Sequence, residues 1–104
     1  MIKLVENYSS DTLWYRKYSD GFIEQGGKVF QDFVTDSTWN FTFPIPFTSA
    51  PLFIAATFIA PRSRDSDGSE VGIKKDTVTA TGLTFIQDGY NYNKTGYIWE
   101  AKGY

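Results

Sequence analysis

An antiparallel β-sandwich of about seven short strands is the fold class this sequence predicts, and three observations predict it. Apolar residues recur with period two, while the 3.6-residue spacing of an amphipathic helix is nearly absent. Gly, Pro, Asn and Asp break the chain into short segments at the spacing of an all-β domain. Phe, Trp and Tyr make up 18 % of the 104 residues. That is more aromatic surface than so small a core hides easily, which sends part of it to a ligand groove or another subunit.

The elements follow in chain order. Residues 12–19 and 22–25 flank Asp20-Gly21, and an Asp-Gly pair between two aromatic runs is a strong hairpin signal. Gly26-Gly27 then breaks the pattern before a strand over residues 29–35. On this reading residues 1–27 form an N-terminal hairpin segment leading into a sandwich over residues 28–104, within one compact domain. Alternation is strictest at Trp39, Phe41, Phe43, Ile45 and Phe47, with Asn, Thr or Pro between them. A pleated strand puts those five side chains on one face, a core face. Pro44 and Pro46 lack a ladder donor and place the strand's end or a sheet edge nearby.

Residues 51–61 are apolar at nearly every position and bracketed by prolines, which predicts a central strand covered on both faces. A neighbouring subunit is one candidate cover. Residues 62–70 are polar, charged and glycine-bearing, an exposed loop. Strand chemistry resumes over residues 71–81, where Thr77, Val78 and Thr79 are β-branched in a row. After a turn at Thr81-Gly82, residues 82–86 form another strand, ended by Gln87-Asp88-Gly89. A second loop covers residues 90–96, and residues 97–104 alternate again. Trp14 and Trp99 are expected in the core.

Composition removes several functions. With no cysteine there is no disulfide, thiolate nucleophile or zinc–thiolate site. With no histidine, the usual general base and the commonest transition-metal ligand are missing together. A net charge of −2 is not the footprint of a nucleic-acid binder. No apolar run approaches the roughly 20 residues of a bilayer span, and residues 1–5 are too short and too quickly polar for a signal peptide. No carboxylate is placed in an apolar setting that would raise its pKa, and no glycine-rich phosphate loop precedes a helix. An enzyme is therefore not expected, nor a cofactor.

Two loops are the candidate binding sites. In the first, Arg62 and Arg64 offer planar forks for sugar hydroxyls or phosphates, and Asp65 and Asp67 offer acceptors. Its acids do not have the spacing of a calcium-binding loop, and the same composition also suits a solvated hairpin tip. In the second, Tyr90, Asn91, Tyr92 and Asn93 combine rigid aromatic area with amide hydrogen bonding. Tyrosine rings stack on sugar faces while amides satisfy the hydroxyl rim. A turn that uses Asn and Gly only for their backbone angles is the competing reading.

The run from Trp14 to Gly27, WYRKYSDGFIEQGG, resembles the signature that opens the C-terminal receptor-binding tip domain of phage and prophage tail fibres. Residues 41–43, Pro51, residues 77–79, residues 82–85 and residues 99–103 follow the pattern of the same domain, which is also similar to the H-type lectin fold. The resemblance implies a homotrimer of β-sandwich protomers at a fibre tip, assembled in the host cytoplasm. It implies contact with a bacterial surface glycan or outer-membrane protein, and a subunit junction near Tyr15, Arg16 and Tyr18. H-type lectins commonly place a histidine beside an aromatic in the sugar site, so their sugar specificity does not carry over to this histidine-free chain. Phe22 stands where tail-fibre tips often have tryptophan. A purely structural trimerisation module and a free lectin are the alternatives.

Overall fold

The computed structural model describes residues 1–33, 37–59, 70–88 and 92–104, without the side chains of 31–33, 70, 88 and 92–95. It is all-β. Among the described residues eight strands run β1 (Leu4–Ser9), β2 (Leu13–Tyr18), β3 (Ile23–Phe33), β4 (Ser37–Thr42), β5 (Phe53–Ile59), β6 (Glu70–Ile73), β7 (Gly82–Asp88) and β8 (Tyr92–Gly103). They form a five-stranded sheet in the order β1-β2-β3-β8-β5 and a three-stranded sheet in the order β4-β7-β6. Every pairing is antiparallel.

Interlocked rings join the two sheets. Phe41 and Phe85 come from the smaller sheet, Tyr97 and Trp99 from the larger. Phe85 meets Tyr97 edge-on at 4.7 Å between centroids, and Phe41 meets Trp99 at 4.8 Å. Edge-to-face geometry sets the positive rim of one ring on the negative face of the next. Phe85 and Ala101 are 0 % exposed and Tyr97 is 1 % exposed, so the core lies between β7 and β8.

The Asp20-Gly21 hairpin forms as expected. Gly21 has φ of 91°, a conformation a Cβ disfavours, and the Phe22 amide donates to Asp20 Oδ1 at 3.0 Å. The alternating face from Trp39 also packs inward. β4 ends at Thr42, ahead of Pro44, yet Phe43 and Phe47 remain buried beyond it. Between them the prolines leave Ile45 to carry the local backbone donor. Gln25, itself 0 % exposed, clamps it: Gln25 Nε2 donates to the Ile45 carbonyl at 2.6 Å, and the Ile45 amide donates to Gln25 Oε1 at 3.1 Å.

Five expectations change. Gly26-Gly27 does not break a strand, because β3 runs through both residues paired to β2 and β8. The glycines are small so that neighbours can approach: a Cβ on Gly26 would stand 2.8 Å from the Trp14 ring and 2.7 Å from the Trp99 carbonyl. The run over residues 51–61 supplies an edge strand, Phe53–Ile59, instead of a central one, since among the described residues β5 bonds only β8. Its apolar run reflects an uncovered face, where Phe53 and its neighbour Leu52 are exposed. Residues 77–79 are not a strand. Their hydroxyls serve the connection between β6 and β7, where the Thr84 amide donates to Thr77 Oγ1 at 3.1 Å and Thr79 Oγ1 donates to the Gly82 carbonyl at 3.2 Å. β8 begins at Tyr92, which moves Tyr92 to Gly96 from the second loop into a strand of 12 residues. Trp99 is buried as expected, but Trp14 is half-buried and belongs to an outer face.

Candidate functional site

Strand connectivity locates the two loops. Glu70 pairs directly with Asp88, and Phe33 with Tyr92. The strand ends bordering residues 34–36, 60–69 and 89–91 therefore lie at one end of the sandwich. The Asp20-Gly21 turn, the turn before Gly82 and the carboxyl terminus lie at the other. Arg62, Arg64, Asp65, Asp67, Tyr90 and Asn91 lie outside the described residues. Tyr92 and Asn93 are placed by their backbone at the start of β8, at that same end.

A second arrangement occupies the outer face of the large sheet. Register aligns Arg16, Glu24, Lys102 and Phe53 in one row across four strands, and Trp14, Gly26, Glu100 and Ala55 in the next. Because Gly26 has no side chain, the Trp14 indole lies across it. The Arg16 guanidinium sits over that ring, 5.2 Å from its centroid. Lys102 Nζ bridges Glu100 at 3.2 Å and Glu24 at 3.6 Å, and hydrogen bonding to Glu100 holds its pKa above the ordinary value. Tyr18 donates to Glu24 Oε1 at 2.6 Å, a bond that raises the phenol's pKa because ionisation would remove the donor. Trp14, Arg16, Glu24, Glu100 and Lys102, with Asn7 of β1, line a concavity of about 620 Å³.

Near the loop end the same face turns apolar. Phe30 and Ile98 project from it at 58 % and 45 % exposure. Both are large apolar groups that the described residues leave uncovered.

Sequence reasoning missed the concavity. The spacing of Trp14 and Arg16 places them on one face of a strand, but nothing in it shows that Gly26, Glu24 and Lys102 complete the setting. The pleat also separates the residues expected at a subunit junction: Arg16 shares a face with Trp14, whereas Tyr15 stacks on Tyr8 at 5.6 Å and donates to Glu6 at 2.9 Å on the other.

A family model described as tail fiber protein gp53-like, C-terminal, matches residues 17–104. The chain belongs to this tail-fibre family. Among solved structures, the tail-fibre domain is similar to an N-truncated R1-type pyocin tail fibre, with 25 % identity and a TM-score of 0.66 over 95 % of this chain and 84 % of that one. It is also similar to an R2 pyocin fibre of P. aeruginosa, with 22 % identity and a TM-score of 0.65, covering 95 % of this chain but 25 % of that one. An N-truncated R2-type pyocin tail fibre matches at 24 % identity and a TM-score of 0.67, over 98 % of this chain and 39 % of that one. The domain thus spans well under half of either R2 chain. No curated protein matches it. Among the described residues no helix is long and apolar enough to cross a membrane.

Proposed function

We propose that this tail-fibre domain recognises a bacterial surface receptor, a glycan or an outer-membrane protein, during adsorption, and does so without catalysis. One observation carries the reading: the strand ends bordering both candidate loops lie at the same end of the sandwich. Arg62, Arg64, Asp65 and Asp67 then act beside Tyr90, Asn91, Tyr92 and Asn93, on a scaffold whose aromatic core holds the strand ends fixed. Membership of a tail-fibre family supports a place at the virion's fibre, and the exposed Phe30, Ile98 and Phe53 support contact with further copies of the chain in a homotrimer. Several copies of a weak site, held on one particle, yield avidity that a single site lacks.

Adsorption of the purified trimer to host cells tests this directly. Replacing both tyrosines, Tyr90→Ala with Tyr92→Ala, is expected to reduce adsorption at least about tenfold, since each stacked aromatic contributes on the order of 1 kcal/mol per copy. Adsorption equal to wild type overturns the loop assignment. Sedimentation of the same sample reads the trimer independently.

A further inference from the structure

The concavity on the large sheet holds four charged side chains, and their pairing is uneven. Glu24 stands opposite Arg16 in the register, yet its oxygens are taken by the Tyr18 hydroxyl at 2.6 Å and by Lys102 at 3.6 Å. Lys102 is shared by two carboxylates. Arg16 alone has no carboxylate partner among the described residues. Its five donors lie in a fixed plane, which matches the two oxygens of a carboxylate or phosphate.

The aromatic part is built as unevenly. The indole of Trp14 is supported from below by Gly26, where any larger residue would push it off the sheet. The guanidinium lies over the same indole, 5.2 Å from the ring centroid, and the indole, half-buried, still lines the concavity beside it. The part of an indole that borders a cavity packs well against the C–H groups of a pyranose. Glu100 and Asn7 also line it, and a carboxylate and an amide serve sugar hydroxyls.

We propose that this concavity is a subsite for an anionic saccharide, with the pyranose ring on Trp14 and its carboxylate or phosphate in the fork of Arg16. The inference rests on the receptor-recognition reading, but it assigns a different surface from the loops. It also gives Arg16 a ligand in place of a subunit junction.

Titration of the intact domain with methyl glucuronide, a glucose phosphate and methyl glucoside tests it, followed by the indole N–H resonances. Trp14→Phe identifies the Trp14 signal. An anionic sugar is expected to move that signal saturably and to bind at least about tenfold more tightly than the neutral glycoside. Arg16→Ala is expected to abolish this preference, and Arg16→Lys to retain part of it, since an ammonium keeps the charge and loses the fork. A response to only one of the two anions identifies the ligand's acidic group. Equal binding of the neutral glycoside, an unmoved Trp14 signal with both anions, or wild-type binding by Arg16→Ala overturns the proposal. So does an Arg16→Ala variant that changes the sedimentation of the protein, which assigns the concavity to contact between copies. The Tyr90→Ala, Tyr92→Ala variant is expected to bind the sugars as wild type does, which separates this test from the adsorption assay.

Discussion

The large sheet has two parts that the same chain holds together by different means. Where β3, β8 and β5 face the smaller sheet, buried rings interlock and Gln25 clamps Ile45 across the gap. The β1–β2 hairpin extends past that cover. All six residues of β1 are exposed, and none joins the core cluster. What holds its inner side is a tyrosine stack, the Tyr15 hydrogen bond to Glu6 and a Lys17–Glu6 pair at 3.5 Å. Such contacts contribute little in water, because exposed ion pairs are screened and long side chains lose entropy when fixed. The covered part supplies stability; the extended part supplies surface.

Three substitutions test that division, the most damaging first. Phe85→Ala removes a fully buried ring between the sheets and is expected to cost about 3–5 kcal/mol, read from urea unfolding. A loss below about 1 kcal/mol would mean that the sheets are held by something other than their rings. Gln25→Ala leaves the Ile45 amide and carbonyl without their partner, for an expected loss of about 2–3 kcal/mol. Its signature is early exchange of the Ile45 amide. Tyr8→Ala is expected to cost less than about 1 kcal/mol, with faster amide exchange confined to β1 and β2. If it lowers global stability as much as Gln25→Ala does, the hairpin is part of the core after all.

Buried polar groups follow the same division. The hydroxyl of Tyr97 has no hydrogen-bond partner among the described residues, and burial pushes its pKa well above the ordinary value of 10.0. Folding therefore favours the neutral phenol. Its contribution to stability is complete below the unfolded-state pKa and declines as the pH rises past it. In the hairpin, Tyr15 is raised chiefly by its hydrogen bond to Glu6, with partial burial a smaller cause.

How much the sequence disclosed depends on the scale of the pattern. The face from Trp39 to Phe47 was legible because strict alternation has one physical cause, a pleat against a core. The Asp20-Gly21 hairpin was legible because positive φ restricts the residue choice. Thr77 to Thr79 misled because β-branching favours a strand only if the hydroxyls have no better partner, and here Lys74, Gly82 and Thr84 provide one. The run from Pro51 to Pro61 misled because an apolar face reads alike whether its cover is the same chain or another. Trp14 was assigned to the core for a related reason. Its setting is made by a glycine 12 residues further on and by charges from β8, and pairing across strands leaves no local mark.

β3 and β8 remain paired from Ile23 and Gly103 to Phe33 and Tyr92, nearly the full length of the larger sheet. The Gly103 end of β8 and the loop end thus lie at opposite extremities of one ladder. Tension between those extremities, as when an attached particle drags on its anchor, acts along the strands and loads the rungs together. A hairpin pulled apart from its open end would lose them one by one. A ladder of this length, loaded along its strands, opens only when many of its hydrogen bonds break together.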